Sequence, residues 1–64
     1  MFLKITKTNG EVRKCVLRKH LKYGRGKPIP YEEALKMVQQ NPKAQLIYSI
    51  NLGGFEFCTW EVPA

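Results

Sequence analysis

Two short runs of alternating apolar and polar residues begin the chain, over residues 2–8 and 11–17. Alternation with a period of two residues indicates β-strands that each bury one face. Asn9 and Gly10 separate the runs, and both residue types tolerate the positive φ angles of a type I′ turn. The pattern therefore predicts a β-hairpin with a two-residue turn.

The register that follows from this turn sets the faces of the hairpin. Its cross-strand pairs are Lys7 with Val12, Ile5 with Lys14 and Leu3 with Val16. One face is then apolar, and the other is mainly polar, with Lys4, Thr6, Thr8, Glu11, Arg13 and Cys15. The alternative is a three-residue loop with a bulge at Gly10, which moves the second strand's side chains to opposite faces. We favour the first register because it gathers the apolar side chains.

A single apolar stripe at helical spacing lies in the middle of the chain. Its members are Tyr31, Ala34, Leu35 and Val38. Pro30 suits the first position of a helix, and Glu32 and Glu33 favour the positive end of the helix dipole. Pro42 disfavours helical geometry in the residue before it, so the predicted helix ends near Gln40.

A second hairpin is predicted near the end of the chain, over residues 44–51 and 55–62. Gly53 and Gly54 form its turn. The predicted cross-strand pairs are Ile50 with Phe57, Tyr48 with Thr59 and Leu46 with Glu61. In this register Ile47 and Trp60 are neighbours on the other face of the hairpin.

Together these elements predict an α+β fold in a single small domain over residues 1–64. The expected order is β-hairpin, helix, β-hairpin, with one helix packed on a mainly antiparallel four-stranded sheet. The helix stripe, with Leu35 in it, is expected to cover Leu3, Ile5, Val16, Tyr48, Ile50 and Phe57. The other face of the sheet is left open to water or to a partner.

Charge is strongly segregated along the chain. Residues 1–27 hold nine of the eleven Lys and Arg residues and one acid, a net charge of +8, whereas residues 28–64 carry −2. Such a field attracts polyanions, of which nucleic acid is the commonest in a cell. The charge is densest in a loop over residues 18–30, which shows no clear period, and long loops in small domains are often functional.

This basic loop and the first hairpin suggest a non-enzymatic module that contacts DNA or RNA. The candidate nucleic-acid-binding residues are Arg13, Arg18, Lys19, Lys22, Tyr23, Arg25 and Lys27. The basic side chains would neutralise phosphates, and the tyrosine would stack on an unpaired base. The alternative for the charges alone is a solvated surface that keeps a small protein dispersed.

The alternative function is protein interaction or regulation, with an acidic protein or a second copy of the chain as partner. The interface would form through an edge strand or through a face anchored by Ile47 and Trp60, since exposed aromatic residues anchor many interfaces. A small protein of a phage or mobile element that inhibits a host complex fits the same pattern. If the register of the second hairpin is wrong by one residue, Trp60 instead belongs to the core.

Catalysis is not expected. His20 is the one histidine, and it stands in the basic loop with no acid nearby in sequence, so a nucleophile–base–acid set is not evident. The segment from Gly24 to Lys27 lacks the spacing of a phosphate-binding P-loop. We predict no cofactor and no catalytic residues.

The remaining expectations concern thiols, metals and location. Cys15 and Cys58 are too few for a disulfide scaffold, and with His20 they are too scattered for a zinc site, so free thiols and no metal are predicted. No apolar run has the length of a membrane span, and the first residues are too short for a signal peptide. The chain is therefore expected to be complete, cytoplasmic and without membrane partners.

Overall fold

The computed structural model describes residues 1–22 and 25–63, which form one helix and a five-stranded antiparallel sheet. The elements are β1 (Phe2–Thr8), β2 (Glu11–Arg18), β3 (Lys27–Pro28), α1 (Tyr31–Gln40), β4 (Gln45–Leu52) and β5 (Phe55–Glu61). Their order across the sheet is β3-β2-β1-β5-β4. The predicted α+β class is confirmed, but the four-stranded sheet is not, because a short strand stands between the first hairpin and the helix.

This extra strand, β3, comes from the basic loop. It pairs with the end of β2, where Val16 opposes Pro28 and Leu17 opposes Lys27. The amide of Ile29 continues the pairing and donates to the carbonyl oxygen of Cys15 at 3.0 Å. Proline lacks a backbone donor, so it is tolerated at the outer edge of a sheet where no further strand needs one.

The first hairpin has the predicted turn but a different register beyond it. Asn9 and Gly10 have φ angles of 53° and 79°, as a type I′ turn requires. Lys7 opposes Val12 as predicted. A bulge then leaves Arg13 without a partner, so the other pairs are Ile5 with Cys15 and Leu3 with Leu17. Because one extra residue reverses the faces of a strand, Cys15 and not Val16 lies beneath the helix.

The second hairpin repeats this outcome. Gly53 and Gly54 have φ angles of 58° and 83°. The predicted pairs of Ile50 with Phe57 and of Tyr48 with Thr59 are confirmed. A bulge at Ile47 then pairs Leu46 with Trp60, which corrects the predicted pairing of Leu46 with Glu61.

The side of the second hairpin that meets the helix is the reverse of the prediction. β5 pairs with β1, and the pairs of Leu3 with Trp60 and of Ile5 with Cys58 put the latter two on the helix side. Trp60 is half-buried against the core, as in the alternative that assigned it there. Side chains alternate along a strand, so Tyr48, Ile50 and Phe57 lie on the sheet face opposite α1.

The core between α1 and the sheet is small. Its buried apolar members are Leu3, Ile5, Cys15, Ala34 and Val62. Ala34 is the buried residue of the helix, while Leu35 is 40% exposed, so the predicted burial of Leu35 is wrong. The helix lies over β2, so Ala34 packs into the core of the first hairpin. Leu35 lies beside β4 and β5 instead.

Both cysteines are free thiols, but their surroundings differ. Cys15 is 5% exposed. Burial raises the pKa of its thiol above the ordinary value of 9.0, and the positive charge of Lys7 opposes that shift. Cys58 is half-buried, and its Sγ donates to Oε1 of Glu56 at 3.3 Å.

This difference predicts stepwise thiol labelling. In the native protein Cys58 is expected to react with a thiol reagent first, and Cys15 only when the chain unfolds. Because the pKa of the Cys15 thiol is raised in the folded state, this group stabilises the fold at pH values below the ordinary thiol pKa. The stabilisation is lost as pH rises through the folded-state pKa. Mass spectrometry after timed labelling of the wild type and of Cys58→Ser measures the order. Rapid native labelling of Cys58→Ser would show that Cys15 is not buried.

Candidate nucleic-acid interface

The sheet face opposite α1, called here the open face, brings basic and aromatic side chains together. β1 and β2 contribute its basic half, with Lys4, Lys14 and Arg18. β4 and β5 contribute its apolar half, with Tyr48, Ile50, Leu52, Phe55 and Phe57. The two halves are contiguous because β1 pairs with β5 in the middle of the sheet.

The basic half contains a shallow depression. It has a volume of about 290 Å³ and is lined by Lys4, Thr6, Lys14, Val16, Arg18 and Gly26. Lys14 is exposed and Lys4 is half-buried, so their ammonium groups are held beside a surface that an anion can reach. Gly26 closes the outer side, since its backbone lies directly against Val16 and Arg18.

The apolar half is exposed to an unusual degree for large side chains. Exposure is 37% for Tyr48, 38% for Phe57, 43% for Phe55, 49% for Ile50 and 70% for Leu52. The rings of Phe55 and Phe57 have centroids 6.1 Å apart and planes inclined by 28°. A groove of about 270 Å³ runs between Lys4 and the side chains of β4 and β5. Flat aromatic rings can stack on nucleobases, and a lysine beside them can contact phosphates.

Among the described residues predicted from the basic loop, Arg18 is the one that lines this face. Arg18 is half-buried at the end of β2 and lines the basic depression. The basic residues that follow it are all exposed: Lys19, Lys22, Arg25 and Lys27. Tyr23, the predicted stacking residue, lies outside the described residues. Lys27 opposes Leu17, which pairs with the buried Leu3, so its side chain lies on the helix side of the sheet and not on the open face.

Arg13 is separate from this group. It is the bulged residue of β2, and its Nη2 lies 3.5 Å from Oε2 of Glu11. Both side chains are exposed, so the ion pair contributes little stability. It does offset the charge of Arg13, which makes this residue a weaker phosphate ligand than Lys14.

The predicted contact of Ile47 with Trp60 is wrong. Leu46 pairs with Trp60, and Ile47 is a bulged residue that is 40% exposed. Trp60 faces a cleft between α1 and the second hairpin, which has a volume of about 220 Å³. Tyr31, Leu35 and Leu46 line the same cleft. An interface centred on Ile47 and Trp60 therefore lacks the geometry predicted for it.

The aromatic half of the open face was missed by the sequence analysis. The alternation of β4 and β5 correctly put Tyr48, Ile50 and Phe57 on one face, but it assigned that face to the helix. Both faces of this hairpin are apolar, with Leu46 and Trp60 on the other side. The available signal was the excess of large apolar residues over what a single short helix can cover.

No three His, Cys, Asp or Glu side chains in residues 1–22 and 25–63 lie close enough together to hold a metal ion. Within the same residues, no helix has the length and apolar character that crossing a membrane requires.

Comparison with known proteins found no match to a family model, to a curated protein or to a solved structure. A function for this chain is therefore argued from its own surface.

Proposed function

We propose that the protein binds single-stranded nucleic acid on the open face and performs no catalysis. Phosphates would contact Lys4, Lys14 and Arg18, and bases would stack on Tyr48, Phe55 and Phe57. The observation that carries this proposal is the contiguity of basic side chains, among which Lys14 is exposed, with exposed aromatic rings on one side of the sheet.

Electrostatics support the phosphate half of the proposal. Residues 1–27, which include β1 and β2, have a net charge of +8. The loop adds further positive charge through four exposed basic residues, Lys19, Lys22, Arg25 and Lys27. Neutralisation of phosphates by such side chains releases counterions, so binding weakens steeply as salt is added.

The aromatic half explains a preference for unpaired strands. Stacking of a base on an aromatic side chain contributes about 1–3 kcal/mol and tolerates any base, because every base has a π face. A duplex hides those faces, whereas a single strand presents them. Ile50 and Leu52 would add apolar contacts to sugars and bases beside the rings.

A salt series of fluorescence anisotropy with labelled single strands tests the phosphate contacts. Lys4→Glu with Lys14→Glu is expected to weaken binding and to flatten the salt dependence of log K by about 1.4, for two lost contacts to a single strand. The matched control is Lys36→Glu with Lys43→Glu, two exposed lysines outside the sheet that give the same net charge. Equal losses in both pairs would contradict a site on the open face.

A second pair of variants tests stacking. Tyr48→Ala is expected to reduce affinity for single strands by about five- to 150-fold, while weak duplex binding stays nearly unchanged. Tyr31→Ala is the control, because Tyr31 has the same 37% exposure but lies on the helix side of the sheet. Undiminished binding by Tyr48→Ala would exclude this ring from the site.

The loop is tested separately with Arg25→Glu and Lys27→Glu. Loss of two outer phosphate contacts is expected to weaken binding to all sequences alike. If this variant abolishes binding while the open-face variants bind normally, the site is the loop and not the sheet.

A further inference from the structure

The outer edge of β4 is unprotected. β4 ends the strand order, and all eight of its residues are exposed. Its sequence, Gln45–Leu52, contains no charged residue and no proline. Native proteins usually blunt such an edge with lysine, proline or a covering segment, since a bare edge pairs readily with another strand. The bulge at Ile47 interrupts only one end, and residues 48–52 pair regularly with β5.

The backbone groups along this edge can be assigned from the turn. Leu52 and Phe55 flank the two-residue turn and so form a hydrogen-bonded pair. Antiparallel ladders alternate between bonded and non-bonded pairs. The amides of Ser49 and Asn51 therefore point away from β5, toward the space beside the sheet.

We infer that β4 pairs antiparallel with β4 of a second copy of this chain. The accessible surface of 4845 Å² exceeds the roughly 4,200 Å² typical of a 7.4 kDa monomer. The excess of about 650 Å² is of the same order as the roughly 800 Å² that each partner buries in a standard interface.

The uncharged β4 edge is the place where a second copy can approach with least repulsion. Two copies of a chain with net charge +6 repel each other through most of their surfaces. The basic strands lie at the β3–β2 end of the sheet, and β4 lies at the opposite edge. Its neighbour β5 contains Glu56 and Glu61 and no basic residue. The β4 edges are therefore the surfaces on which two copies approach with least repulsion.

The symmetry of this pairing has a consequence for the open face. A two-fold axis normal to the sheet makes the two β4 strands antiparallel and keeps both helices on the same side. The two five-stranded sheets become one ten-stranded sheet with a continuous open face. If the proposed function holds, this dimer doubles the length of the nucleic-acid surface; the pairing itself does not depend on that function.

Molar mass across a concentration series tests the pairing. Size-exclusion chromatography with light scattering is expected to give about twice 7.4 kDa for the wild type. Ser49→Lys with Asn51→Lys adds charge to the edge and is expected to give a monomer. Gln39→Lys with Gln40→Lys adds the same charge to exposed positions of α1 and is expected to remain a dimer.

Amide hydrogen exchange of the wild type provides a readout that needs no variant. The amides of Ser49 and Asn51 are expected to be protected in the dimer and to lose protection on dilution. A wild-type monomer at every concentration, or fast exchange of both amides at high concentration, would overturn the inference. So would a dimer that survives the edge variant but dissociates in Ile50→Ala with Phe57→Ala, which would indicate pairing through the open face.

Anisotropy with the monomeric edge variant separates this inference from the proposed function. Retained binding to a shorter oligonucleotide is expected if both hold. If the monomeric variant binds an oligonucleotide of the same length as the wild type does, only the doubled surface is overturned. If the wild type is a dimer but binds no nucleic acid, only the proposed function is overturned.

Discussion

Leu3→Ala is expected to remove a large share of the free energy of unfolding, about 2–5 kcal/mol. Leu3 is fully buried in the central strand, between Leu17 on one neighbouring strand and Trp60 on the other. Truncation of a buried leucine costs about 2–5 kcal/mol, because it removes apolar contacts and leaves a cavity. A domain of this length has a total stability of about 3–10 kcal/mol. Urea denaturation followed by Trp60 fluorescence and by circular dichroism measures the loss.

The control is Leu35→Ala, the same chemical change on the helix. Leu35 is 40% exposed at the margin of the cleft, so its truncation is expected to cost about 1 kcal/mol. Equal destabilisation by both variants would mean that Leu35 is buried, as its sequence pattern predicted, and not 40% exposed.

Gly26→Ala is expected to separate β3 from β2. A Cβ atom at this position would overlap Cγ1 of Val16 and would lie 2.9 Å from Cγ of Arg18. Overpacking of this kind costs about 1–3 kcal/mol unless the strand moves away. The variant is expected to lower the midpoint of urea unfolding and to speed hydrogen exchange of the Ile29 amide, which bonds to Cys15 across the same strands.

A double-mutant cycle gives this prediction its control. Val16→Ala removes the methyl group that the new Cβ would meet, so it is expected to recover part of the stability lost in Gly26→Ala. Recovery is only partial because Cβ of Val16 would still be 3.1 Å away. Simple additivity of the two changes would show that Gly26 is not packed against Val16.

The local elements were predictable because their signals are local. Asn9-Gly10 and Gly53-Gly54 specify turns through their tolerance of positive φ, and both turns are present. The helix occupies Tyr31–Gln40, directly after Pro30 and directly before Asn41, whose extended conformation precedes Pro42. Each of these features depends on a few neighbouring residues, so the local sequence is sufficient to predict it.

The predicted registers of both hairpins are wrong beyond one residue in each. Arg13 and Ile47 are bulges, and each reverses the face of every residue beyond it. Neither residue type favours a bulge by its own chemistry. The pairing of β5 with β1, which are about fifty residues apart in sequence, decides which side of each hairpin meets α1, and periodicity contains no information about that contact.

The candidate site divides in the same way. The excess of positive charge in residues 1–27 was visible from composition, since segregation of Lys and Arg needs no fold to be recognised. Of the basic residues on the open face, however, Arg18 was among the candidates predicted to bind, whereas Lys4 and Lys14 were not. The rings of Tyr48 and Phe57 were not expected at the surface, because an apolar face on a strand normally belongs to the core. One helix of ten residues covers only part of a five-stranded sheet, so the remaining apolar side chains stay at the surface.

Methyl NMR during titration with a short oligothymidine at low ionic strength tests the proposed site most directly. The fold supplies matched sets of methyl groups on the two sides of the sheet. Val16, Ile50 and Leu52 report on the open face, and Leu35, Val38 and Leu46 report on the helix side. The account predicts saturable shifts in the first set and little change in the second. Shifts confined to the second set, or no shifts in either, would contradict a nucleic-acid site on the open face.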